Sequence, residues 1–189
     1  MRYSNSHKEE TRRKLIESSR SIAKKDGFAS TGIDALMASI GLTGAAFYNH
    51  FPSKQALFDA LVGEEASNSA HILAVDADAP ADDLAKRLRS YLSTHHAMHP
   101  ESGCALPTLA PEIARATPAA RTEIENSLKR IRNNWSAHLD DPDAAWAAIA
   151  QCVGALLLAR TVESERTRKE ILRASRRFLG EALGLDGLK

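Results

Sequence analysis

Residues 31–54 read T-G-I-D-A-L-M-A-S-I-G-L-T-G-A-A-F-Y-N-H-F-P-S-K, and this stretch decides the fold. Ile33, Leu36, Met37 and Ile40 recur at helical spacing, Gly41-Leu42-Thr43 makes a tight turn, and a second short helix runs from Gly44 to Phe51. Thr31 and Asp34 stand three apart, like a capping box with Asp in place of Glu, which puts Thr31 at the cap of the first helix. Two short helices joined by a Gly-containing turn form a helix-turn-helix, whose second helix can lie in a DNA major groove. A rigid fork needs Ile33, Leu36, Ile40, Leu42, Phe47 and Phe51 turned inward. The opposite face of the second helix then presents Thr43, Ala45, Ala46 and Asn49, with Tyr48 and His50 at its margins. Pro52 ends this helix and Ser53 caps the next. Lys54 falls in that helix's first turn, where free backbone N–H groups also attract phosphate.

Working outward, helical patterns continue on both sides. Upstream, Leu15, Ile16, Ser19, Ile22 and Ala23 line one face of a helix over Glu9–Lys25, which Asp26-Gly27 terminates. Downstream, Leu57, Phe58 and Leu61 continue the helix that Ser53 opens, and the Asp-rich segment Val75–Asp83 is a polar connection. Pro107 and Pro111 predict a short or kinked helix within Cys104–Arg115, and Pro118 starts one carrying Ile124, Leu128, Ile131, Trp135 and Leu139. The uncharged run Ala144–Ala159 is apolar nearly all round and predicts a helix buried on several sides. A last helix holds Ile171, Leu172, Phe178, Leu179 and Leu183. No strand-like alternation exceeds a few residues, so the fold class is all-α, with about nine helices.

Composition narrows the function. The chain has 189 residues, 43% of them hydrophobic, enough for a packed core and against disorder. Its two cysteines, Cys104 and Cys152, make no disulfide framework and suit a reducing compartment, hence a cytoplasmic location. Met1–Lys14 is polar throughout, unlike a secretory leader, and Ala144–Ala159 falls short of the roughly 20 apolar residues that a membrane span needs. No phosphate-binding, dinucleotide-binding, nucleophile-elbow or zinc-protease motif occurs, and the carboxylates are scattered, so the reading is not an enzyme and calls for no cofactor. The net charge of +1 hides an asymmetry: residues 1–25 hold eight Lys/Arg against three acids, whereas residues 64–189 hold sixteen against eighteen. A basic head on a mildly acidic body is what phosphate contact at one end would produce.

At F-Y-N-H-F-P-S-K, with the basic helix before it and A-L-F-D-A-L after it, the sequence resembles the TetR family of transcriptional repressors over about Thr11–Val62. The resemblance implies a helix-turn-helix DNA-binding domain over 1–54 and a helical ligand-binding and dimerisation domain over 55–189. It also implies a homodimer that binds a pseudo-palindromic double-stranded operator and leaves it when a small-molecule effector enters the body, with no membrane partner. Carried over by position, Thr31, Thr43, Tyr48, His50 and Lys54 become DNA contacts, and Gly44, Ala45 and Asn49 of the second helix complete the candidate DNA-binding set. Many members carry more polar residues where this chain has Thr43-Gly44-Ala45, so DNA shape and backbone contacts are expected to supply a large share of specificity.

In the body, Leu88, Leu92, Leu109 and Trp135 suggest an apolar effector cavity, with His96 and Cys104 as further lining residues and an apolar or amphipathic ligand. Small residues Ala148 and Ala155, with Gln151 and Phe178, resemble the helix pair that forms the family's dimer interface. His95, His96, His99 and Cys104 invite a metal reading, but Pro100 and Gly103 intervene and no second cysteine or carboxylate pair completes the set. Two alternatives stay open: a thiol-based electrophile or redox sensor acting through Cys104, and a helical ligand-binding adaptor.

Overall fold

A computed structural model describes residues 5–76, 79–80 and 82–188. Its elements run α1 (Asn5–Asp26), α2 (Ile33–Ala38), α3 (Lys54–Leu73), α4 (Asp83–Tyr91), α5 (Thr94–Met98), α6 (Leu106–Ile113), α7 (Pro118–Leu139), α8 (Pro142–Thr161) and α9 (Glu165–Ala182). Short 3-10 helices occur at Gly44–Asn49, Pro100–Ser102 and Asp186–Leu188, and no strand occurs among the described residues. Among the described residues the all-α reading and the nine helices hold.

Capping chemistry sets the boundaries. α1 stops at Asp26 because Gly27 turns left-handed, at φ 82°. Ser53, Thr117 and Ser164 each accept an N–H three residues on, and the Asp141 carboxylate accepts from Asp143 N and Ala144 N. Pro118 and Pro142 occupy first-turn positions that need no N–H. Pro107 and Pro111 confine α6 to 8 residues. The box expected at Thr31 does not form. Gly32 is the cap of α2 and makes no side-chain bond, while the Thr31 hydroxyl donates backwards to Gly27 O at 3.0 Å. Of the polar connection Val75–Asp83, Ala77, Asp78 and Ala81 lie outside the described residues. Its start is clamped by Asn134, which accepts from Val75 N and donates to Val75 O.

The head comprises α1, α2, the Gly44–Asn49 turn and the first half of α3. Leu36, Phe47 and Phe51 are buried as the fork requires, with Leu15, Met37, Leu57 and Leu61 completing the core, while Ile33 and Ile40 are half-buried against it. Burying each such side chain contributes roughly 1.5–3 kcal/mol. Leu42, expected inward, is exposed instead, because the turn carries it past the end of α2. In the body, α3 runs along α7, and α8 lies between α7 and α9. Trp135 fills the centre with no exposed surface and donates its indole N–H to Leu73 O at 2.8 Å. α3 is thus one 20-residue helix shared by both parts.

α8 is long and apolar enough, by length and composition, to cross a membrane. It is covered on several sides, as its composition suggested, by α5, α6, α7 and α9, but not all round. Ala145, Ala148, Ile149, Cys152, Ala155 and Leu156 are buried, but Trp146, Leu157 and Leu158 face outward. Among the described residues α5, α6, α7 and α9 pack around α8 and leave open the strip that carries Trp146, Leu157 and Leu158.

Head and body meet through buried charge. Glu65 of α3 has no exposed surface; Arg20 and Lys24 of α1 both pair with it, Lys24 Nζ at 3.3 Å. Lys24 Nζ also donates to Gly103 O at 3.2 Å, and Thr108 Oγ1 donates to Lys24 O at 2.9 Å. On the far side of α1, the Glu112 carboxylate of α6 accepts from Phe28 N and Ala29 N, at 3.0 and 2.9 Å. Removing one member of a buried pair strands the other charge, which costs about 3–5 kcal/mol. Glu65→Ala should therefore lower unfolding free energy by about that amount in urea titrations. A loss under about 1 kcal/mol would mean the pair behaves like a surface ion pair.

Candidate nucleic-acid interface

The second motif element is a 3-10 helix, Gly44–Asn49, rather than an α-helix. With three residues per turn, Phe47 points into the core, and Ala45, Tyr48 and Asn49 are left outward with Thr43 before them. Tyr48 is 64% exposed, its ring edge-on to Phe47 with centroids 5.4 Å apart. Gly44 lies so close to Asp34 of α2 that a Cβ would overlap the carboxylate, which is why the turn passes there on glycine. Its role is therefore close approach rather than contact through a side chain.

α1 adds a second wall. His7, Lys8 and Thr11 of α1 join Leu42, Ala46, Tyr48, Asn49 and His50 around a cleft of about 620 Å³. Arg12 fixes the two walls together: its guanidinium lies 3.9 Å from the Phe51 ring centroid and donates to His50 O at 3.1 Å. Partial burial, with the Lys8 and Arg12 charges, holds the His50 pKa below its usual value, so the ring meets a partner as a neutral hydrogen-bonding group. Sequence reasoning did not single out His7, Lys8 or Arg12, although the basic count of the first segment was their signal.

Thr31 and Lys54 stand apart from that cleft. Thr31 spends its hydroxyl proton on Gly27. Lys54 Nζ donates to Ala29 O at 3.0 Å and sits 4.9 Å from the Phe28 ring centroid, leaving two of its three N–H donors for another acceptor. The head charge also divides in two, since Arg20 and Lys24 are committed to Glu65 and Lys14 pairs with Glu10.

In the body, Leu88, Leu92, Cys104, Leu109 and Trp135 have no exposed surface and line none of the cavities described here. They form solid core. Cys104 Sγ lies 3.6 Å from Ser69 Oγ, and burial raises the Cys152 thiol pKa far above its usual value. His96 is different: it lines a polar cleft of about 340 Å³ beside Tyr91 and Gly103. Its Nδ1 donates to Tyr91 O at 2.7 Å and its Nε2 accepts Cys104 N–H at 3.0 Å, an arrangement only a neutral ring can make. Ala148 and Ala155 are buried within the chain and Gln151 donates to Ser175 Oγ, whereas Phe178 is 60% exposed. Trp146, Leu157 and Leu158 share that exposure but escaped the sequence reading, because an all-round apolar helix hides which side its own chain leaves open.

A buried fork presenting tyrosine, asparagine and threonine beside a basic helix defines a helix-turn-helix DNA-binding protein. Residues 15–61 match the family model for bacterial regulatory proteins, tetR family. By this match, the N-terminal segment is a DNA-binding domain of the TetR-family type. Its whole fold resembles solved TetR-family regulators. One from Agrobacterium tumefaciens is 19% identical, with a TM-score of 0.75 and coverage of 92% of this chain and 98% of that one. One from Chloroflexus aurantiacus is 23% identical, with a TM-score of 0.72 and coverage of 93% and 97%. RolR, solved in complex with the ligand resorcinol, is 20% identical, with a TM-score of 0.56 and coverage of 96% and 95%. At these identities the likeness is one of fold. No curated protein matches by sequence.

Burial holds the His96 pKa below its usual value of about 6.5, so the unfolded chain binds a proton that the folded chain rejects. This histidine therefore makes stability fall as pH drops below about 6.5 towards the folded-state value, and leaves it level above. His96→Gln should start from a lower melting temperature at pH 7.5 and lose less on acidification. An acid sensitivity identical to the parent chain would shift the cause to other groups, such as His50.

Proposed function

We propose that two copies of this chain form a cytoplasmic repressor that binds a pseudo-palindromic operator and is released by a small molecule. The observation carrying the DNA reading is the outward set Thr43, Ala45, Tyr48 and Asn49, walled by Lys8 and stapled by Arg12. Thr43 and Asn49 offer hydrogen bonds to base edges, Tyr48 reaches backbone or base, and Ala45 suits a thymine methyl. Few side chains here can read bases directly, which supports a large contribution from DNA shape and phosphate contacts. Gly44 and His50 border the surface, and Thr31 and Lys54 flank it as backbone contacts.

The homodimer reading is supported by the outward apolar face of α8 and α9, where Trp146, Leu157, Leu158 and Phe178 stay 39%, 44%, 57% and 60% exposed. A two-fold pair would present its heads to half-sites about 34–36 Å apart, or a multiple. An effector that binds the DNA-incompetent spacing more tightly releases the operator, by linkage. The burial of Cys104 favours ligand release over thiol sensing. The exposed tyrosine, asparagine and threonine face favours a regulator over an adaptor.

Fluorescence anisotropy on an operator selected from random DNA tests the first part. Tyr48→Ala should weaken operator binding about tenfold while hardly altering binding to unrelated DNA. Lys8→Ala should weaken both and lower the log–log salt slope by about 1. Equal losses on all sequences from Tyr48→Ala would remove it from readout. Sedimentation tests the second part: the parent chain should run as a dimer and Leu158→Glu with Phe178→Glu as a folded monomer. An unchanged dimer would place the interface elsewhere.

A further inference from the structure

The core residues expected to line an apolar cavity are fully buried, whereas the cleft over Gly103 is open to a ligand. Its volume of about 340 Å³ lies at the lower end of the roughly 300–1,000 Å³ typical of small-molecule sites. Its polar wall holds the Arg87 guanidinium of α4, the His71 ring of α3, His95 and His96 of α5 and the Ser90 hydroxyl, with Arg87 the one permanent charge among them. No aspartate or glutamate lines it. Glu101, in the adjacent turn, is drawn to His99, with Nδ1 to Oε1 at 3.3 Å. Ile72 and the buried Tyr91 supply the apolar part of the wall.

Arg87 is exposed and keeps its guanidinium free. Its neighbour Lys86, by contrast, pairs with Asp82 and Asp83, so the acids nearest in sequence are taken. Among the described residues Arg87 has no ion pair or hydrogen bond, and neither do the side chains of His71 and Ser90. Donors converging on one cleft without an acid among them match the oxygens of a carboxylate, which a guanidinium can hold with two parallel bonds.

The floor of the cleft is also the joint between body and head. Gly103 lines it, and the Gly103 carbonyl accepts from Lys24 Nζ of α1. His96 lines it too. Its ring receives Cys104 N–H, its carbonyl accepts from Arg160, and Arg160 donates in turn to Thr108, which bonds the Lys24 carbonyl. The approach is tight enough that a Cβ on Gly103 would overlap the His96 ring. A molecule pressing on His96 or Gly103 therefore acts on the same atoms that hold α1.

We propose that this cleft binds a small organic carboxylate, with Arg87 taking the charged end and Tyr91 and Ile72 the apolar end, and that it is the effector site. The proposal rests on the ligand-released regulator described above and names its ligand class. Occupancy displaces Gly103 and His96, loosens the hold on Lys24 and shifts the head.

Benzoate and hexanoate, each with its neutral amide as control, are the probes. In melting-temperature titrations of the full chain, at least one carboxylate should stabilise the protein and its amide should not. Arg87→Gln, an exposed substitution that leaves the fold intact, should weaken that binding roughly tenfold or more. The same carboxylate should release operator from the parent chain at concentrations that leave Arg87→Gln bound. Stabilisation by acid and amide alike, by neither, or equally in Arg87→Gln would overturn the site while leaving operator binding intact. Arg87-dependent stabilisation without operator release would uphold the site and overturn its link to DNA.

Discussion

The architecture depends on one buried carboxylate. Glu65 is closed off from water in the middle of α3, and it is tolerable there only because Arg20 and Lys24 of α1 come to it. A charge so placed specifies position more sharply than apolar packing, which is non-directional and accepts small slips. α1 is thereby fixed to α3 in one register, and the same Lys24 reaches Gly103 beyond it. The recognition element has no such tie of its own. It inherits its place from α1 through Arg12 and from the core through Phe47. The orientation of the DNA-facing side chains is therefore decided by a contact well inside the molecule.

This changes the meaning of the charge asymmetry. A basic head suggested a surface gathered to meet phosphate, yet Arg20 and Lys24 are spent on the interior and Lys14 on its helical neighbour. What remains towards the recognition face is Lys8, with Arg12 partly occupied by Phe51 and His50. The body, slightly acidic on average, keeps Arg87 unpaired on its own surface. Net charge by segment reported the sign of each end correctly but not which charges are free.

Much of the fold was legible because the evidence for it is local. Helical spacing and caps such as Ser53, Pro118 and Gly27 act within a few residues, and they marked the helices and the motif. The site was legible in part. Tyr48 and Asn49 face outward because Phe47 faces inward, which the pattern contained. Thr31 failed as a cap because its hydroxyl had a competing acceptor in Gly27 O. Leu88, Leu92, Leu109 and Trp135 looked like cavity walls because core and cavity linings have the same composition; only three-dimensional packing separates them. The Lys24–Glu65 pair and the Gly103–His96 approach join residues far apart in sequence or set by loop geometry, where no periodicity operates.

α3 carries a consequence of a mechanical kind. It is one unbroken helix of 20 residues, held at its far end by Trp135 on Leu73 O and beginning next to the recognition turn at Lys54. At 1.5 Å per residue it is a rod about 30 Å long. Pivoting such a rod by roughly 5° about its anchored end carries the other end through about 2.6 Å. That distance is close to the length of a whole hydrogen bond, so a tilt too small to disturb packing around Trp135 suffices to take a side chain out of reach of a phosphate. Leverage, rather than unfolding or bending, is what this geometry makes available.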